Sequence, residues 1–171
     1  TEDSLLEAHE NNFLGSLSEI RGSLALAWVD ISTGDFVVTS CNKKNLRALI
    51  LRLNLKELLI SDDLMDKFSD EYKDFNLTLT PVSNAIFEST FAKTQICNFY
   101  GVKTLGGFGA FSRTELSAIN SVITYLELTQ KDTLPNLKRP FKEISTDALQ
   151  IDSFTRSNLE IVRSLSGEKG G

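Results

Sequence analysis

Two β-forming runs joined by a turn constrain the fold of this chain more than any other feature of its sequence. Residues 23–31 read SLALAWVDI and residues 36–40 read FVVTS, and both runs are dense in apolar and β-branched side chains. The intervening Ser32-Thr33-Gly34-Asp35 favours a tight turn. The pattern predicts a β-hairpin, so the fold contains a sheet on which later segments pack.

Helix-like and strand-like segments follow one another after this hairpin. Apolar residues at helical spacing predict helices behind Asn42, over about 63–69, over 85–99 with Gly101 as a stop, and over 112–129 behind a Ser112-x-x-Glu115 capping box. Residues 57–60 are typical of a buried strand, and residues 77–82, which include Pro81, of a strand near the sheet edge. The order predicts an α/β architecture in which helices flank a mixed sheet.

The two ends of the chain carry weaker signals. Residues 4–17, which open with a Ser4-x-x-Glu7 capping pattern, predict a short helix or an extended lead-in. Residues 131–147 predict a loop, and a further helix is expected behind Asp152. The interpretation is a lead-in over 1–22, a main domain over 23–140 and the start of another, all-α unit over 141–171.

Composition excludes several classes of protein. No apolar run approaches the roughly 18 residues that span a bilayer, and the acidic start lacks a signal-peptide pattern, so we expect a cytoplasmic protein with no membrane role. Cys41 and Cys97 are expected to be small buried or half-buried thiols, and His9 a surface residue. These three residues build neither a zinc cluster nor a disulfide framework, so we expect no metal site. One histidine also gives little support for a Ser-His or Cys-His enzyme, and we expect no catalytic residue.

The charge balance limits contact with nucleic acid to a local segment. The formal net charge is −5, which argues against broad capture of a phosphate backbone. Residues 131–142 hold four basic side chains against Asp132 alone: Lys131, Lys138, Arg139 and Lys142. This segment is interpreted either as a solvated loop or as a place where the chain lies close to DNA.

Glycine-rich segments provide no nucleotide site. Gly106-Gly107-Phe108-Gly109 is followed by no Lys-Ser or Lys-Thr pair, and the tail at 167–171 lacks the GxxxxGK[ST] spacing. That spacing is what allows backbone amides to cradle phosphates while the lysine reaches them. The first segment is interpreted as a bend, and no cofactor is expected within these residues.

Six segments in order resemble the MutS family of bacterial DNA mismatch repair proteins. They are Leu5-Leu6 with Asn12-Phe13-Leu14, residues 26–36, Glu57-Leu58-Leu59, Tyr125-Leu126-Glu127-Leu128-Thr129-Gln130, Leu134-Pro135-Asn136-Leu137, and residues 151–160. The resemblance covers essentially the whole chain and implies an internal fragment. It implies a connector domain of ribonuclease H-like topology, followed by the start of the core domain.

The resemblance also implies a function for the connector. It would couple mismatched-DNA binding, done by a preceding domain, to an ATP- and magnesium-dependent core whose P-loop lies outside this chain. The parent protein would be a homodimer on double-stranded DNA, and the connector would offer a surface to the partner protein MutL. We place that surface on residues 93–103, with Thr94, Gln95 and Asn98 as polar contacts; ordinary solvated helix residues are the alternative.

A ribonuclease H-like fold leaves an enzymatic alternative open. Nucleases of this fold surround two divalent metals with carboxylates. Asp30 would be the anchor, with Asp35, Glu57 and Asp62 as further candidates. Because Asp30 borders the hairpin turn, a carboxylate that accepts hydrogen bonds from turn amides is the simpler explanation.

Overall fold

The computed structural model describes residues 12–131 and 134–143. Its strands are β1 (Phe13–Ile20), β2 (Ser23–Asp30), β3 (Phe36–Cys41), β4 (Glu57–Ser61), β5 (Thr78–Val82) and β6 (Phe141–Lys142). Its helices are α1 (Lys43–Leu53), α2 (Asp62–Phe68), α3 (Ala92–Tyr100), α4 (Arg113–Thr129) and a short 3-10 helix, Asn84–Phe87. None of the described helices is long and apolar enough to cross a membrane.

The strands form one six-stranded mixed sheet in the order β5-β4-β1-β2-β3-β6. Strand β2 runs antiparallel to both of its neighbours, while the other neighbouring pairs are parallel. Strand β5 lies at the edge, where a proline costs no ladder hydrogen bond on the free side. The predicted mixed sheet with flanking helices is confirmed, and its ribonuclease H-like topology remains what the resemblance implies.

Strand β1 is the element that the sequence patterns described least well. The sequence predicts a short helix or an extended lead-in over residues 4–17, whereas Phe13–Ile20 is a central strand paired with β2 and β4. Arg21 and Gly22 join it to β2 with φ angles of 52° and 84°. Two positive φ angles are those of a type I′ turn, the tight turn that suits the twist of two antiparallel strands.

The sheet separates two hydrophobic cores because successive side chains of a strand point to opposite faces. In β2, Ala25, Ala27 and Val29 pack on one face with α3 and α4, and Leu24, Leu26 and Trp28 on the other with α1 and α2. Small side chains therefore face α4 and large ones face α1. The result is three layers, helix, sheet and helix.

Serines let α4 lie close to β1. Ser16 Oγ and Ser121 Oγ are 2.6 Å apart, and Ser18 Oγ donates to Ser117 Oγ over 2.9 Å. All four side chains are buried. Because each hydroxyl has a partner, these polar groups are buried without the cost of an unmade hydrogen bond.

Capping residues set most helix ends where the sequence predicts them. Asn42 accepts from Asn45 N to begin α1, and the predicted capping box of α4 is complete, since Glu115 N donates to Ser112 Oγ and Ser112 N to Glu115 Oε1. Gly101 ends α3 in the left-handed region, as predicted. These contacts satisfy backbone groups that lack partners within the helix.

The predicted continuous helix over 85–99 is wrong. The chain forms the 3-10 helix Asn84–Phe87, then turns, and α3 begins only at Ala92. Glu88 causes the interruption: its backbone is extended, and its side chain accepts from the amide and the hydroxyl of Thr90. A side chain that competes for backbone donors in this way favours a turn over a helix.

Part of the predicted 131–147 loop belongs to the sheet. Phe141–Lys142 forms β6, parallel to β3, and Glu143 N donates to Val38 O. The domain boundaries after residues 22 and 140 stay predictions, although β1 and β6 pair with the strands assigned to the main domain. Phe141–Lys142, at the start of the segment predicted to be all-α, is thus a strand. The Ser4 capping pattern, His9, Asp132 and the rest of that segment, residues 144–171 with the helix behind Asp152, lie outside the described residues.

Candidate functional site

The surface predicted for MutL lies on the outer side of α3. This helix buries Ala92, Ile96 and Cys97 against the sheet and α4, so its other side faces solvent. Thr94, Gln95 and Asn98 are all exposed there. The helical spacing of the buried residues is the reason these three polar residues share an outward face.

A cleft of about 330 Å³ lies between α3 and α4 beside two of these residues. It is lined by Gln95, Asn98, Phe99, Asn120, Ile123, Thr124 and Glu127. Asn120, only 3% exposed, donates from Nδ2 to Gln95 Oε1. Its Oδ1 atom has no hydrogen-bond partner within the described part of the chain. The α4 members were not foreseen, because the sequence shows α4 as a plain amphipathic helix.

A second depression, of about 380 Å³, lies on the other side of α3. Lys93, Thr94, Cys97, Asn98, Val102 and Lys103 line it. Thr94 therefore lines the depression that contains Lys93 and Lys103. Gln95 lines the cleft that contains Glu127, and Asn98 lines both. The structure brings the three predicted residues onto one surface but divides them between two electrostatic environments.

Three of the four basic residues predicted to lie near DNA contact groups of this same domain. Lys138 Nζ lies 2.8 Å from Asp35 Oδ1, and Lys142 Nζ lies 3.3 Å from Glu115 Oε2. The Arg139 guanidinium lies 4.8 Å from the centre of the Phe108 ring. Lys131 is exposed and forms no ion pair with a described residue. Structural contacts thus account for part of this basic stretch, and its DNA contact stays a prediction.

The carboxylates considered for a metal-dependent nuclease do not meet. Asp30 Oδ1 accepts from Ser32 N over 2.8 Å, so its predicted part in the hairpin turn is confirmed. Glu57, at the start of β4, accepts from the Thr80 hydroxyl, while Asp62 follows the other end of that strand, about 16 Å along it. Two-metal sites hold their ions about 4 Å apart, so Glu57 and Asp62 are too far apart to share one. No group of three or more potential metal ligands occurs among the described residues.

Two local environments shift pKa values near the hairpin turn. Lys138, with Thr33, donates to Asp35 and lowers the pKa of that exposed carboxyl. Tyr100 donates its hydroxyl to Lys138 O, and burial raises the pKa of this phenol. Both contacts attach the segment around Lys138 to the domain.

The glycine-rich bend and the start of α4 do not fit a nucleotide phosphate. Helix N-termini bind anions through free backbone amides. Here the Ser112 hydroxyl and the buried Glu115 carboxylate already satisfy amides of the first turn. The action of ATP and magnesium outside this chain stays a prediction.

Two distant motifs meet at the hairpin turn. Gly34, with φ of 86°, accepts at its carbonyl from Lys138 N over 2.9 Å. A Cβ at this glycine would lie 2.1 Å from Asn136 O. The STGD turn and the Leu-Pro-Asn-Leu segment are about a hundred residues apart in sequence, yet they pack directly on each other.

Comparison with known proteins gives consistent matches. The chain matches the family MutS domain II over residues 12–138. It is 46% identical to the DNA mismatch repair protein MutS of Ruegeria pomeroyi, 45% to that of Cereibacter sphaeroides and 41% to that of Roseobacter denitrificans. Each match covers 100% of this chain and 19–20% of the relative, so the chain spans about a fifth of their length.

Among solved structures, the chain is similar to T. thermophilus RuvC in complex with a Holliday junction substrate. The similarity covers 72% of this chain and 98% of that chain, with 9% sequence identity and a TM-score of 0.43. The family match and the full-length alignments agree with the predicted resemblance and with the predicted fragment. The chain belongs to the MutS family of DNA mismatch repair proteins, of which it carries domain II, the connector.

Proposed function

We propose that this connector couples mismatched-DNA binding to the ATP-dependent core of its parent protein and offers the outer face of α3 to MutL. The family match over residues 12–138 carries this proposal. ATP and magnesium would act in a part of the parent outside this chain, and the parent would bind mismatched double-stranded DNA as a homodimer.

The way in which the sheet holds both ends of the domain supports the coupling role. Asn12 O accepts from Ile31 N at the entry to β1, and Glu143 N donates to Val38 O where β6 leaves. Both ends are thus hydrogen-bonded to the β2–β3 hairpin. A domain that holds both of its connections rigidly transmits displacement of one to the other, which is what coupling between two sites requires.

The exposure of Thr94, Gln95 and Asn98 supports the MutL surface. These side chains lie on a well-anchored helix, and a rigid element presents contact residues at low entropic cost. Contact of the domain with DNA would be limited to the segment around Lys131 and be weak and salt-sensitive, because most of the basic side chains there already have partners.

Adding positive charge to α3 tests the MutL surface. The double variant Gln95→Lys and Asn98→Lys is expected to abolish binding of MutL to the chain, measured by biolayer interferometry, because two lysines would obstruct the contact surface. The matched control, Ala48→Lys with Leu51→Lys, adds the same charge at exposed positions of α1 on the opposite face of the sheet. Unchanged binding in the α3 variant would refute this assignment.

A further inference from the structure

We propose that the α3–α4 cleft binds an arginine side chain presented by the protein partner of this surface. This inference rests on the proposed function, because it names the chemistry that the partner brings to the α3 surface. Its basis is an unused set of hydrogen-bond acceptors in a cleft of about 330 Å³.

The first acceptor is the Oδ1 atom of Asn120. This side chain is 3% exposed, and its Nδ2 atom is held by Gln95 Oε1, which leaves Oδ1 without a partner among the described residues. A buried acceptor left unpaired is costly, so a donor that reaches it gains more than a donor at an exposed acceptor would. Because Oδ1 is itself buried, the exposed Gln95 side chain would move aside to let a donor reach it, exchanging its bond with Asn120 Nδ2 for one with solvent.

The charge of the cleft selects a cation. Glu127 is its charged lining residue, is exposed, and forms no ion pair with a described residue. Asn120, Thr124 and Glu127 lie four and three residues apart, on one stripe of α4. Helical side chains lean toward the N-terminus, which brings Glu127 toward the other two.

The shape of the cleft favours arginine over lysine. Phe99 and Ile123 provide apolar lining for the methylene chain, and an aromatic ring favours a guanidinium stacked on it. A guanidinium carries five donors in a planar fork and so reaches an amide oxygen, a hydroxyl and a carboxylate together. An ammonium group is a compact point charge that does not match acceptors spread along a helix.

A pair of isosteric small molecules tests the proposal without MutL. The probe is acetyl-arginine amide, titrated into the isotope-labelled 171-residue chain while backbone amide resonances are followed by NMR. The probe should shift resonances of residues 95–99 and 120–127 saturably, and the neutral isostere acetyl-citrulline amide should bind at least about fivefold more weakly, because it lacks the charge that pairs with Glu127. Equal responses to the two compounds, or shifts scattered over the surface, would overturn the proposal.

Matched variants locate the binding. Glu127→Gln should reduce arginine binding to the level of citrulline, while Asp66→Asn, which removes the same charge from the exposed face of α2, should leave it unchanged. Asn120→Leu should weaken binding as well, because it removes the unpaired oxygen. An identical response of Glu127→Gln and Asp66→Asn would refute the assignment even if the Asn120 variant fails to fold.

Binding of MutL to the same variants separates this proposal from the previous one. Glu127→Gln should weaken MutL binding about fivefold relative to Asp66→Asn. Full MutL binding to both variants would overturn the arginine site and leave the α3 surface standing. If MutL binds none of the proteins, the proposed function fails, and the titration with acetyl-arginine amide alone decides the inference.

Discussion

At the scale of single residues, Gly34 belongs both to a local turn and to a tertiary contact. Its φ of 86° is unfavourable for any residue with a Cβ, and the space where a Cβ would stand is taken by Asn136 O. Gly22 has nearly the same φ, 84°, but nothing within 4 Å of that position. A Cβ at Gly22 would cause backbone strain alone, whereas a Cβ at Gly34 would cause both backbone strain and a steric clash.

Substitution by alanine at both positions tests this difference. Gly22→Ala is expected to lower the free energy of unfolding by about 1 kcal/mol, from backbone strain alone. Gly34→Ala should cost at least about 2–3 kcal/mol, because the segment from Asn136 to Lys138 must also move. Urea unfolding followed by circular dichroism measures both values; equal losses would show that this segment does not pack on the turn.

At the scale of elements, the start of α4 is joined to β6 through a buried carboxylate. Glu115 is fully buried, caps Ser112 N, accepts from the Ser40 hydroxyl over 2.6 Å and pairs with Lys142. A buried charge with several partners is stable only while those partners remain. This pair adds a contact with α4 to the pairing of the two-residue strand β6 with β3.

Removing Lys142 should therefore destabilise the domain, although only moderately because this side chain is 45% exposed. We expect Lys142→Met to lower the free energy of unfolding by about 1 kcal/mol, through incomplete pairing of Glu115. The control Lys131→Met removes an exposed lysine without a described ion pair and should have an effect near zero. Equal stability of the two variants in thermal unfolding would contradict the structural role of Lys142.

At the scale of the whole molecule, ion pairs and hydrogen bonds attach the segment after α4 to the sheet. Lys138 pairs with Asp35 in the hairpin turn, and Arg52 of α1 lies 2.7 Å from Glu143. The Thr39 hydroxyl donates to Glu143 O. These contacts join the path of the chain out of the domain to both the sheet and a helix, which is the property that the proposed coupling needs.

The Asp35–Lys138 pair makes part of the stability depend on pH. Lys138 lowers the pKa of Asp35 below its ordinary value of 3.8, so the contribution is present above that value and is lost as the pH falls through the lowered pKa. The wild-type chain should thus exceed Lys138→Met in urea midpoint at pH 7, and the difference should narrow below about pH 4. A difference that stays constant down to pH 2 would assign the effect of Lys138 to packing.

Sequence patterns predicted the elements whose signals are local. The 23–40 hairpin, the Asn42 cap of α1 and the capping box of α4 each depend on residues a few positions apart, and each is present. Apolar spacing alone overestimates the helix over 85–99, because the Glu88 side chain competes for backbone donors there. Strand β1 was interpreted as a helix or lead-in because its serines, buried against serines of α4, look like surface residues in sequence.

By itself, the sequence determined the class of fold, the order of most elements and, through ordered motifs, the family. Only the tertiary structure decided the place of β1 in the sheet, the packing of the 134–138 segment on the Gly34 turn and the cleft between α3 and α4. The reason is that propensity, periodicity and capping act only between residues that are a few positions apart in sequence. Asn120 lies 25 residues from its partner Gln95, and Lys142 lies 27 residues from its partner Glu115. Only packing determines that these groups meet, and that Asn120 Oδ1 finds no partner among the described residues.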